Sequence, residues 1–195
     1  MWHKYIILQL LAVILGTEAQ VSFQGTCPDL PVVEPFDLQK YLGVWYEIEK
    51  YPAKFETGGK CVLATYTLNP NGTIQVRNSN IHNATGVYDQ IIGSARLADP
   101  TGKQAKLLVT FPTAPVEREA PYWVLQTDYD YYAIVWSCSP NGENNMQFLW
   151  YLSRTRNPDD DERSHSREIM KQLKLDTAPL VPTDQSRCPN PYAIL

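Results

Sequence analysis

Between Gly43 and Thr155 the chain divides into short β-prone segments broken by turn chemistry, with no helical period among them. Segments rich in Val, Ile, Tyr, Thr and Trp predict strands near 44–53, 61–68, 73–80, 87–97, 105–111, 121–128, 131–138 and 147–155. The breaks include Asn69-Pro70-Asn71-Gly72, Asp99-Pro100-Thr101-Gly102 and Ser139-Pro140-Asn141-Gly142, residues that supply the positive φ and local hydrogen bonds of tight turns. Eight consecutive strands without an intervening helix restrict the fold to an antiparallel up-and-down barrel or a sandwich. The interior of an eight-stranded barrel is either filled by side chains or wide enough for one small ligand.

One helix is predicted after the strands. Pro158-Asp159-Asp160-Asp161 places acidic residues where a helix dipole favours them, and Ile169, Met170 and Leu173 then recur at helical spacing. The apolar stripe is narrow, which suits a helix lying outside a barrel. Ala178 to Pro191 is Pro-rich and extended.

At the N-terminus, Tyr5 to Leu15 is an apolar run too short to span a bilayer, and it is followed by small residues at Thr17 and Ala19. Residues 1–19 are therefore expected to be a cleaved secretory signal, leaving one domain over 20–195 that is secreted, extracellular and monomeric. Losing Lys4 and Glu18 keeps the net charge at −4. No basic run is present, which argues against nucleic acid as a partner.

In an oxidising compartment Cys27, Cys61, Cys138 and Cys188 imply two disulfides, and spacing alone leaves three pairings open. No Cys-x-x-Cys or paired-His spacing occurs, so neither a metal nor another cofactor is expected. His82 and His165 stand alone, and Asp159 to Glu162 reads as a helix start rather than a calcium cluster. Asn71-Gly72-Thr73 and Asn83-Ala84-Thr85 are sequons, expected to carry glycans at Asn71 and Asn83.

Three motifs sit on this pattern. Gly43-Val44-Trp45 opens the first strand, Thr127-Asp128-Tyr129 separates the sixth from the seventh, and Arg154 ends the eighth. Their order and spacing resemble the lipocalin family. The wider matches Lys40 to Lys50, Ala120 to Leu125 and Thr183-Asp184-Gln185 resemble its apolipoprotein D-like branch, which includes insect Lazarillo-type members. The resemblance implies an all-β, eight-stranded antiparallel up-and-down β-barrel with one C-terminal helix packed outside. Trp45 would plug the closed end under Arg154, where a cation–π contact contributes roughly 0.5–2 kcal/mol. The pairings Cys27–Cys138 and Cys61–Cys188 are likewise implied by the resemblance.

The same resemblance implies a cup that carries a fatty acid, a steroid or a similar lipid. Alternation along the strands, together with the match to this branch, points to Tyr66, Asn78, Phe111, Tyr122 and Trp150 as ligand-binding residues. Burying ~300 Å² of apolar ligand at ~25 cal/mol/Å² supplies roughly 7–8 kcal/mol before costs, an affinity near micromolar. Trp123 should then face outward, and an exposed Trp near the mouth suggests docking to a membrane or lipoprotein surface. Met146 and Met170 are candidates for reducing lipid hydroperoxides, a route to protection against oxidative stress.

Two other classes compete. Catalysis by a thiol inside the cup needs a free cysteine, and with all four paired no catalytic residue is expected. A cell-surface signalling or adhesion protein remains a binding alternative, as does a carrier of a bilin or retinoid pigment.

Overall fold

A computed structural model describes residues 20–99, 101–112 and 118–190. The expected signal over 1–19, Pro100 of the Asp99–Gly102 turn, part of the 111–120 loop and Pro191 at the end of the tail lie outside the described residues. The chain folds into β1 (Ser22–Gln24), α1 (Leu38–Tyr41), β2 (Gly43–Lys50), a 3-10 turn (Lys54–Glu56), β3 (Gly59–Leu68), β4 (Ile74–His82), β5 (Tyr88–Leu97), β6 (Lys106–Thr110), β7 (Ala120–Thr127), β8 (Tyr132–Asn141), β9 (Asn144–Ser153), α2 (Asp160–Gln172) and β10 (Val181–Pro182).

Strands β2 to β9 pair in sequence order, and β9 returns to pair with β2, closing an eight-stranded antiparallel barrel. Sequence patterning misses the two accessory strands. β1 adds to the front of β9 through Ser22 opposite Met146, and β10 adds to the end of β2 through Val181 opposite Lys50. They are three and two residues long, too short to carry an alternation signal. β9 also starts three residues before the expected 147, because the β8–β9 hairpin turns tightly at Gly142-Glu143.

The apolar residues form two layers. Trp45, Tyr66, Val76, Leu107, Val124 and Val135 pack inside the barrel. Trp136, Leu149 and Tyr151 face outward and are covered by α2 through Met170 and Ile169. Asp159 caps α2 by accepting from Glu162 N at 2.8 Å. Glu162 in turn accepts from the hydroxyls of Tyr151 at 3.1 Å and Ser153 at 3.0 Å, which holds the helix on the outer wall.

One end of the barrel is shut. Trp45 is fully buried there, and the Arg154 guanidinium lies 3.7 Å from its ring centre. Arg154 also donates to the carbonyls of Tyr129 (2.9 Å), Val44 (2.8 Å) and Lys40 (2.7 Å), so one side chain ties three chain segments beneath the plug. Gly43 makes room for this: its φ is +95°, and a Cβ there would sit 3.4 Å from Arg154 Nη1. Thr127 and Asp128 shape the adjoining turn. Thr127 Oγ1 accepts from Tyr129 N, and Asp128 Oδ1 accepts from the backbone N–H groups of Tyr131 and Tyr132. The lead into α1 crosses under the barrel, held by Val33 N to Val124 O and Phe36 N to Lys103 O.

Two disulfides fasten the segments that lie outside the ladder. Cys27–Cys138 ties the N-terminal lead to β8, and Cys61–Cys188 ties the C-terminal tail to β3. Among the described residues there is no free cysteine, no helix long and apolar enough to cross a membrane and no grouping of potential metal ligands.

Candidate functional site

The open end of the barrel leads into a cavity of about 680 Å³. A cleft of that size falls in the range that encloses one drug-sized molecule. Its walls come from the inward-facing residues of most of the strands. Tyr66 (β3), Asn78 (β4), Phe111 (after β6), Tyr122 (β7) and Trp150 (β9) all stand on them. Trp150 stacks on Phe148 with ring centres 5.7 Å apart and planes 11° apart, and Phe148 meets Phe55 of the 3-10 turn at 5.5 Å.

The floor is a row of phenols. Tyr122 Oη lies 2.8 Å from Tyr66 Oη and 2.8 Å from Tyr41 Oη. Burial pushes the Tyr66 hydroxyl up to about 12 and those of Tyr41 and Tyr122 well above the ordinary range, so all three are neutral hydroxyls. On the side wall, Asn78 Oδ1 is buried and accepts no hydrogen bond from the protein. An orphaned acceptor facing a cavity is a place for a ligand or water donor.

An ion triad flanks the mouth. Lys50 Nζ lies 3.0 Å from Glu47 Oε1 and 2.9 Å from Glu56 Oε2, and both carboxylates border the cavity. These contacts are close but off-axis, leaving Lys50 Nζ and Glu56 Oε2 without a well-directed hydrogen bond. Glu47 also accepts from Thr183 Oγ1 at 2.5 Å. Burial, and then repulsion from Glu47, raise the Glu56 carboxyl from 4.5 to about 7, against the opposing pull of Lys50 and a hydrogen bond from Trp150. Spacing alone did not reveal this triad.

Gly93, inside β5, is a further position whose role no local sequence pattern marks. A Cβ at Gly93 would stand 2.4 Å from Thr110 O and 2.6 Å from Phe111 Cδ1. The ring of Phe111 therefore reaches the cavity across a position where only hydrogen fits.

Two expectations are corrected. Trp123 does face outward but is neither at the mouth nor openly exposed. It sits in mid-strand opposite Lys106 and Trp136, half-buried, with its ring 5.4 Å from that of Trp136 and Lys106 Nζ 4.0 Å over its face. Met170 is fully buried between α2 and the outer wall, on the opposite side of the sheet from the cavity. Met146 stands opposite Ser22 and Ser139 and is not part of the cavity wall. Phe55 and Val87 are the large apolar side chains exposed around the mouth, at 66% and 60%. Their two loops are joined by Asn83 N to Gly58 O at 2.8 Å. The expected glycan positions lie at opposite ends of the barrel, Asn71 in the β3–β4 turn and Asn83 in this mouth loop.

A closed antiparallel barrel with one blind end, one open end and a mostly apolar chamber defines a class of small-molecule container. Residues 36–185 match the family model described as "Lipocalin-like domain", and the chain belongs to the lipocalin family, whose members bind small hydrophobic ligands. It is 39% identical to apolipoprotein D of Cavia porcellus over 194 residues, covering 95% of this chain and 98% of that protein. It is 34% identical to the Lazarillo protein of Schistocerca americana, covering 92% and 85%. Among solved structures, insecticyanin from the tobacco hornworm Manduca sexta superposes with a TM-score of 0.78 at 28% identity, covering 87% of this chain and 91% of that one.

Proposed function

We propose that this protein is a secreted, non-enzymatic carrier that takes one fatty acid, steroid or similar lipid into the barrel. The observation that carries the reading is the cavity of about 680 Å³, blind at Trp45 and open at the other end. Its wall is mostly apolar, interrupted by a few placed polar groups. Tyr66, Asn78, Phe111, Tyr122 and Trp150 are the residues assigned to ligand contact. The stacked Phe148–Trp150 pair supplies area, while Asn78 Oδ1 and the floor phenols fix a polar end of the ligand. Secretion fits the two disulfides, which persist in oxidising compartments. Contact with a membrane or lipoprotein surface would fall to Phe55 and Val87 rather than Trp123.

Native mass spectrometry of the secreted protein, with an organic extract of its bound contents, tests the reading. One lipid per barrel is the expected result. A coloured preparation would shift the cargo to a bilin or retinoid. An empty barrel whose tryptophan fluorescence does not respond to added lipids would overturn the carrier and favour the cell-surface interaction reading.

A further inference from the structure

The floor of the cup holds more hydroxyl protons than the protein can accept. Tyr41, Tyr122 and Tyr66 carry three phenolic protons but make two mutual hydrogen bonds, and no other described protein atom bonds these hydroxyls. One proton is therefore left over whichever way the row is ordered. Tyr41 is 1% exposed and lies off the cavity wall, whereas Tyr66 and Tyr122 are on it. The ordering in which Tyr41 donates to Tyr122 and Tyr122 to Tyr66 leaves the spare O–H on the wall, facing the cargo.

We propose that the Tyr41–Tyr122–Tyr66 row is a hydrogen-atom relay that quenches peroxyl radicals formed on the bound lipid. The inference rests on the carrier reading above. In the first step a lipid peroxyl radical takes the hydrogen atom of Tyr66. The Tyr66 O–H bond breaks, a hydroperoxide O–H bond forms, and the unpaired electron stays on the Tyr66 phenoxyl. In the second step the hydrogen of Tyr122 moves to Tyr66 across the 2.8 Å bond, and that of Tyr41 then moves to Tyr122 across the other. The cargo ends as a hydroperoxide and the radical ends on Tyr41, behind the wall, where a fresh lipid chain cannot reach it. The balance is one peroxyl radical consumed and one Tyr41 hydrogen atom spent per barrel, so the relay acts stoichiometrically and the lag should scale with protein concentration.

Three features favour this chemistry. Phenolic and hydroperoxide O–H bonds are close in strength, so the first transfer needs no large driving force. Each phenoxyl accepts a hydrogen bond from the next tyrosine, which stabilises it in a low-dielectric site. Burial keeps the three groups as neutral phenols, so proton and electron leave together. The tyrosine rings are also in mutual contact, Tyr41 with Tyr66 at 5.6 Å and Tyr66 with Tyr122 at 6.0 Å, and Tyr41 packs on Trp45 at 5.2 Å. Sulfur is worse placed. Met170 lies outside the barrel and Met146 is not on the cavity wall.

The test uses cis-parinaric acid, a fluorescent polyene fatty acid, bound to the full secreted chain and exposed to a lipid-soluble azo initiator. Binding is read first, from the fluorescence gain on titration. Wild type should then show a lag before fluorescence decays, and a tyrosyl doublet by freeze-quench electron paramagnetic resonance that collapses when the tyrosine rings are deuterated. Because Tyr66 and Tyr122 also contact the ligand, each variant is read at probe concentrations that saturate it by its own titration. Saturated Tyr66→Phe should lose the lag, saturated Tyr122→Phe should shorten it by stranding the radical on Tyr66, and Met146→Leu and Met170→Leu should keep it whole. Bound probe that decays without lag or doublet in wild type, or a lag that survives Tyr66→Phe, overturns the relay and leaves the carrier standing. Failure of wild type to bind the probe overturns the relay together with the lipid-carrier reading beneath it.

Discussion

Replacing Glu56 by Gln should stabilise this protein at alkaline pH even though it removes one arm of an ion triad. Glu56 is enclosed beside Trp150 and Lys50, and its carboxyl is raised from 4.5 to about 7, first by burial and second by Glu47. A carboxyl that is harder to ionise in the fold than in the open chain stabilises the fold most below about pH 4.5. That contribution fades as the pH rises and is gone above about 7. At 1.36 kcal/mol per pH unit of displacement, the span is on the order of 3 kcal/mol. Gln mimics the protonated acid and does not titrate. Urea unfolding with the disulfides intact, run on both proteins from pH 4.5 to 8, reads Glu56 together with the Glu47–Lys50 pair it touches, because the carboxyls outside the triad cancel in the difference. The two proteins should match at the acid end, and the Gln variant should be more stable by about that span at the alkaline end. A variant destabilised equally at both ends, or more at the alkaline end, would show that Lys50 attraction outweighs burial and refute the reasoning. A carbon-13 titration of the Glu56 carboxyl with its midpoint at 4.5 rather than about 7 would refute it independently.

Other outcomes follow from single contacts. Gly93→Ala should cost about 2 kcal/mol or more in urea midpoint, because its Cβ meets the Thr110 carbonyl, and should weaken ligand binding by displacing Phe111. Arg154→Met should lower stability by about 2–4 kcal/mol in thermal melts, and Arg154→Lys should recover little of it, since a lysine cannot reach three carbonyls at once. Removing the Cys61–Cys188 bridge by paired Ser substitutions releases a separation of 127 residues, and the loss should be roughly 4–5 kcal/mol by chemical denaturation. Trp150→Ala should weaken a bound lipid about tenfold or more in fluorescence titration, through the lost area of the Phe148–Trp150 stack, with far-ultraviolet circular dichroism unchanged.

The parts of this structure that sequence displays are those governed by local rules. Turn residues mark the strand breaks, and alternation turns Phe148, Trp150 and Leu152 to one side of β9 because the strand is regular there. Trp123 shows where that logic stops. Alternation gives its direction correctly, but its burial depends on Lys106 and Trp136, which reach it from the two neighbouring strands. The mouth triad shows a different limit. In a regular strand Glu47 and Lys50, three residues apart, point to opposite faces. The β2–β9 register slips between Glu47 and Glu49, so Ile48 and Glu49 both face outward, Ile48 into the outer layer and Glu49 onto Arg167 of α2. Past that bulge, Lys50 returns to the side of Glu47 and the two side chains meet at 3.0 Å. One extra residue thus converts two charges that alternation would separate into a buried pair, and Glu56 joins them from the following turn. The bulge has no residue signature of its own in Glu47-Ile48-Glu49-Lys50, so the polar edge of the cavity becomes visible only when β2 and β9 are paired.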